Sequence, residues 1–247
     1  MTVRVATTCS SGKAMSPIWP LQAASLRPGS IELVSAAWLA NLPCAVERMP
    51  ASDLYQGRGF GHARSVARPF VISAGLGLVR PEELIPSYSL TVSAGADDIF
   101  TRINGRRDPA AWWFAIRSNP FSCPMDALFE GGGIVLMALS GPYLAMVADE
   151  LERRPESDLD RLRIFLPGSP RHAPPRLARL VMPYDGRMNS PASELRGPLT
   201  DFAPRALRDF AGTALESLPD GDVSQHAAFV SARMLELETV PESGPRP

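Results

Sequence analysis

A chain of 247 residues, 45% hydrophobic and 21% charged, is long enough to bury a full core, as one large domain or as a domain with an appendage. Its formal net charge of −1 excludes a protein that coats nucleic acid through overall charge, since attraction to phosphate needs a basic field. No apolar run approaches the roughly 20 residues that span a bilayer, so no membrane partner is expected and a cytoplasmic location is the default.

Residues 3–8 read as a short buried strand that runs into a small polar turn, Cys9-Ser10-Ser11-Gly12-Lys13, of the kind from which α/β proteins reach ligands. Five prolines limit regular structure across 16–50, where 31–39 fits a strand or a short helix. Ser52-Asp53 opens a turn or helix, 59–68 continues as an Arg-bearing helix closed by Pro69, and 70–72 forms a second buried strand. That strand enters a second exit loop, 73–79, in which Gly75 and Gly77 allow a tight turn or a close approach to a ligand. A short helix or turn over 81–86 and an extended stretch over 87–92 follow. In the second half, 109–117 is a helix ended by Asn119-Pro120, 134–139 a strand, and Ser140-Gly141-Pro142 opens a strong helix over 143–153. Residues 162–166 are another strand, 200–218 a helix capped by Thr200 or Asp201, 223–237 a final helix, and the Pro-rich 241–247 a disordered tail. The alternation predicts an α/β fold, a mixed or mainly parallel sheet flanked by helices with a helical C-terminal part. One domain over 1–240 is expected, with a motif-bearing half (1–95) and a half (105–240) that completes the sheet.

Arg outnumbers Lys 24 to one, and the one lysine, Lys13, stands in the first strand-exit turn. A lysine amine can be desolvated, lose its proton and attack a carbon, which a guanidinium cannot; the plain alternative is a surface lysine. The turn lacks the first glycine of a phosphate-binding P-loop, and Ala14 replaces its Ser/Thr. What it offers is the hydroxyls of Ser10 and Ser11, backbone N–H groups and one amine. Cys9, Cys44 and Cys123 are odd in number and widely spaced, which fits neither a disulfide framework nor a zinc motif, and no metal or cofactor is expected. A nucleophilic Cys9 lacks a local partner among His62, His172 and His226. Arg58, Arg64, Arg68, Arg102, Arg106 and Arg107 fall in the first half and give it the means to present a positive face. Pro183-Tyr184-Asp185-Gly186-Arg187 gathers a ring, a carboxylate and a guanidinium in a turn; Asp185 is a candidate catalytic carboxylate and Arg187 a phosphate contact, against a plain Asp-Gly turn with its salt bridge. Trp112 and Trp113 diverge by about 100° on a helix, so one of them is expected to be exposed.

Cys9-Ser10 with Lys13, then Leu54-Tyr55-Gln56-Gly57, then Ser73-Ala74-Gly75-Leu76-Gly77-Leu78, then Pro86-Ser87-Tyr88 together resemble a bacterial family of uncharacterised proteins related to the peroxide-stress protein YaaA. The resemblance covers about the first 95 residues. Where relatives often place a lysine and an aromatic or histidine between Ser-Ala and Gly-Leu, this chain has Gly75 and Leu76. The resemblance implies an α/β domain that engages DNA or nucleotides and carries Tyr55 and Tyr88 over as matching positions, either as stacking platforms for a base or as tyrosines that hold loops. The leading expectation is a DNA glycosylase that releases a modified base, with phage DNA as partner and antiviral defence as its role. Lys13, Asp185 and Ser10 would be catalytic; Cys9, Ser11, Tyr55, Arg58, Ser73, Tyr88 and Arg187 would bind substrate; Asp53 and Asp126 rival Asp185. A non-catalytic DNA-binding stress protein and a nucleoside or nucleotide N-glycosidase are the alternatives.

Overall fold

The computed structural model describes residues 2–168, 173–191 and 193–239. Its centre is a five-stranded sheet: β1 (Val3–Thr8), β2 (Phe70–Ser73), β3 (Gly77–Val79), β4 (Ile134–Ala138) and β5 (Leu162–Phe165), in the order β3-β2-β1-β4-β5. All neighbours are parallel except β2 and β3. The expected α/β class is therefore observed, and β1, paired with β2 on one side and β4 on the other, joins the two halves of the chain in one sheet.

Strand periodicity divides the core. Ile134, Leu136 and Ala138 of β4, with Val5 and Phe165, pack under the C-terminal helices, while the alternate Val135 and Met137, with Ala6 and Ile164, belong to the larger core on the other face. That larger face is covered by α1 (Ile31–Asn41), α3 (Pro109–Ile116) and α4 (Gly141–Glu152); the opposite face by α2 (Arg58–Arg64), α5 (Phe202–Gly212) and α6 (Val223–Thr239). Ser30 caps α1 by accepting from Leu33 N, and Asp108 caps α3 by accepting from Ala111 N ahead of Pro109.

Several local expectations change. Of the two readings of 31–39, the helix is observed, over Ile31–Asn41, while others are replaced. The 81–86 segment contributes Leu84–Ile85 to a two-residue antiparallel pair with Met49–Pro50. Rather than one helix over 200–218, Phe202–Gly212 and Ala214–Ser217 are separate helices broken at Thr213. Trp112 and Trp113 are both buried, because α3 packs against β-hairpin and helix at once: Trp112 Nε1 donates to Ala74 O at 2.7 Å and Trp113 Nε1 to Glu150 Oε2 of α4 at 2.6 Å. The tail over 241–247 lies outside the described residues. Among the described residues no helix is long and apolar enough to cross a membrane.

Candidate active site

The four parallel strands end on one edge of the sheet, and the strand order reverses at β1: the chain moves from β1 to β2 on one side and returns from β3 to β4 on the other. In an open α/β sheet the ends of adjacent strands at such a reversal leave a crevice for ligands. The turn after β1 borders it. Cys9 N still donates to Ile72 O at 3.2 Å; the chain then turns and is zipped to the Tyr55 segment by Ala14 N to Leu54 O at 2.8 Å and Gln56 N to Gly12 O at 2.9 Å. Gly57 permits this approach, since a Cβ there would stand 2.0 Å from Ser10 Oγ.

Two adjoining cavities open here, of about 370 and 320 Å³, sharing a wall made by Thr8, Cys9, Ser10, Ser11, Ser140 and Thr200. The larger lies beside Arg58 and Asp201, with Leu139, Pro167 and Leu199 as apolar walls. The smaller holds Lys13, Ser89, Thr91, Asp97 and Tyr143. Lys13 Nζ donates to Ser10 O at 2.8 Å and sits 4.6 Å from the centre of the Tyr88 ring and 5.7 Å from that of Tyr55. Burial lowers its pKa below the ordinary 10.5, against the opposing electrostatic pull of Cys9 and Asp97. Cys9 Sγ lies 3.1 Å from Tyr143 Oη, which is 3.3 Å from Thr91 Oγ1. Asp97 Oδ2 accepts from Ser89 Oγ at 2.8 Å.

The motifs that are far apart in sequence thus meet. Lys13, Ser10, Ser11, Cys9 and Arg58 border the crevice. Tyr55, Tyr88 and Ser73 lie directly beneath, but none of them is a substrate contact in this arrangement. All three are fully buried, Tyr55 Oη is 2.9 Å from Tyr88 Oη, and Tyr88 Oη is 2.6 Å from Ser73 Oγ. Ser73 Oγ also accepts from the N–H groups of Gly75 and Leu76 at 3.2 and 2.9 Å. Neither the Tyr55 nor the Tyr88 ring has a face left for a base; burial raises both phenol pKa values well above 10, so the rings serve as a neutral, hydrogen-bonded floor.

The C-terminal turn departs furthest from expectation. Asp185 Oδ1 accepts from Arg187 N at 2.9 Å, its carboxylate pairs with the Arg187 guanidinium at 2.6 Å, and this hydrogen bonding holds its pKa low. The described lining of both cavities includes neither residue. Tyr184 packs instead beside Phe165 on the far face of the sheet and donates to Asp209 at 2.8 Å. Asp53 is exposed and accepts from Ser52 Oγ at 3.1 Å, and Asp126 is exposed and paired with Arg154. None of the three carboxylates considered from sequence reaches the crevice lining; Asp97 does.

Asp97 is the main residue that sequence reasoning missed. Its signal is weak, an acidic pair after Ser93-Ala94-Gly95-Ala96, and it acquires meaning through the backbone bond from Thr91 N to Asp97 O at 2.9 Å, which folds the loop back toward Ser89. Asp201 stands at the N-cap position expected of it, yet its side chain makes no capping bond. It accepts from Arg58 Nε at 2.5 Å and Arg205 Nε at 2.9 Å. Comparison of the chain with family models, curated proteins and solved structures finds no match.

Proposed function

We propose that the crevice is the active site of an enzyme that hydrolyses the N-glycosidic bond of a nucleotide. The observation that carries this reading is the meeting of a half-buried lysine of lowered pKa with a carboxylate, Asp97, beside a wall of hydroxyls at the end of the central strand. Perturbed titratable groups converging in a cleft are what acid–base work on a substrate requires. In the reaction the bond from the sugar carbon to the base nitrogen breaks and its electron pair leaves with the base. The Lys13 ammonium, made a stronger acid by burial, protonates that nitrogen. Asp97 takes a proton from the water whose oxygen bonds to the sugar carbon, and the proton returns from Asp97 to Lys13 through solvent.

A free nucleotide is favoured over a long DNA strand by the fate of the first-half arginines. Arg107 is paired with Asp98, while Arg64 and Arg68 bond to Ser52, so the basic groups are tied into the protein and do not form a continuous track.

The test is base release from nucleosides, nucleoside 5′-monophosphates and DNA, phage DNA with modified bases included, read by mass spectrometry. Wild type releases base from free nucleotides, and Asp97→Asn and Lys13→Ala lower the rate by about 10²-fold or more, the ordinary worth of general acid–base groups. The rate falls as pH rises through the lowered Lys13 pKa, below 10.5, because the acid is then lost. Release from DNA alone makes the enzyme a glycosylase of strands, and a borohydride-trapped adduct makes Lys13 the nucleophile. No release from any substrate overturns the reading.

A further inference from the structure

The larger cavity contains a guanidinium held in a way that the reaction just described does not use. Arg58 stands at the start of α2 with its side chain 64% exposed, yet its Nε is fixed by Asp201, whose side chain is 4% exposed. Asp201 is itself held from the other side by Arg205, which is equally buried and donates further to the carbonyl oxygens of Gly197 and Pro198 at 3.0 and 2.9 Å. Anchoring through Nε leaves the planar edge made by the two terminal nitrogens facing outward, and among the described residues no partner takes them. A guanidinium presented by that edge matches the paired oxygens of a phosphate bidentately.

The surroundings agree. One carboxylate is shared between two guanidinium groups, so the corner keeps a net positive charge, and the nearby His62 has its pKa lowered, first by burial and then by the charges of Arg208, Arg205 and Arg58. Thr200, Ser11 and Ser140 border the same cavity with hydroxyls that have no hydrogen-bond partner among the described residues, and Ser140 does not cap its helix with its side chain. Ser11 and Thr200 are exposed and Ser140 half-buried, so these hydroxyls and the guanidinium edge are free to turn from water to an oxyanion.

We propose that the Arg58 corner of the larger cavity is a phosphate monoester subsite, oriented by Asp201 and completed by Thr200, Ser11 and Ser140. This rests on the reading of the crevice as a nucleotide N-glycosidase and narrows its substrate to a nucleoside 5′-monophosphate. The shared wall of hydroxyls then lies between the phosphate and the cavity that Lys13 and Asp97 both line, where the sugar carbon is to be placed.

Titration calorimetry with inorganic phosphate, and with a nucleoside and its 5′-monophosphate, tests the subsite without requiring turnover. Wild type binds phosphate, and binds the monophosphate at least about tenfold more tightly than the nucleoside. Arg58→Gln loses that advantage. Arg58→Lys, which keeps the charge without the anchored fork, recovers part of it at most, and Thr200→Val weakens phosphate binding severalfold. A thermal melt of each variant confirms folding; Arg205 still holds Asp201 when Arg58 is removed. Equal affinity for nucleoside and monophosphate in wild type, or phosphate binding undiminished in Arg58→Gln, overturns the subsite. Phosphate binding that depends on Arg58, in a protein that releases no base, leaves the subsite standing and removes the N-glycosidase reading alone.

Discussion

Two turns leave the same edge of the sheet from adjacent parallel strands, one after β1 and one after β2, and they have opposite fates. The turn after β1 borders two cavities, and several of its donors and the Lys13 amine face them. The turn after β2 reverses at once into the antiparallel β3, with Gly77 at φ +76°, and is sealed: Trp112 donates to Ala74 O, Trp38 Nε1 to Gly75 O at 2.7 Å, and Ser73 takes the two N–H groups that remain. A Cβ on Gly75 would stand 2.9 Å from the Trp38 ring. Position at a strand exit therefore opens the way to a ligand, but what packs over the exit decides whether a site forms. Here two tryptophans make one turn into core, and the absence of such a cover leaves the other open to the two cavities.

Substitutions on the two sides separate these roles. The largest effect is expected from Trp112→Ala, which empties a fully buried site and orphans the Ala74 carbonyl; unfolding in denaturant should show a loss of about 3–5 kcal/mol. Gly57→Ala acts on the open turn, where the new Cβ overlaps Ser10 Oγ. Displacing the turn should cost about 1–3 kcal/mol of stability and, at full folding, abolish base release; a variant that melts lower but turns over normally would separate Gly57 from the site. A smaller effect falls on neither turn. His226 is buried with Nδ1 accepting from Arg163 Nε at 2.9 Å and Nε2 donating to Leu218 O at 2.8 Å, so the ring is neutral and burial lowers its pKa from 6.5. Because the unfolded ring binds its proton at higher pH, this contribution is full above about pH 6.5 and declines as pH falls, by at most about 1.4 kcal/mol per pH unit. Melting temperatures across pH 5 to 8 check it: both turns should survive the loss, since the pair ties α6 to β5 rather than to the crevice.

The parallel strands were legible because each is a short apolar run between polar turns, and Val3–Thr8 with its polar exit pointed to the crevice directly. The four motif segments of the first 95 residues also do converge in space. Burial was not legible. Tyr88 and Ser73 look equally suited to meet a ligand or to hold a loop, and the choice is made by Trp38 and α3, which arrive from 21 and more residues away. Trp112 and Trp113 point one in and one out on a lone helix, which has one buried side; α3 has two. Asp97 and Asp185 show the same limit for charge. Asp185 stands in a conspicuous cluster that satisfies itself within two residues, whereas Asp97 stands in a plain loop and gains its place from a backbone bond to Thr91.

The most direct measurement is base release from nucleoside 5′-monophosphates by Lys13→Ala and Ser73→Ala in parallel, each rate divided by the folded fraction. Lys13→Ala should melt close to wild type and release almost no base, whereas Ser73→Ala should melt lower and turn over normally per folded molecule. Release by Lys13→Ala at the wild-type rate would contradict the assignment of the open turn as the active site.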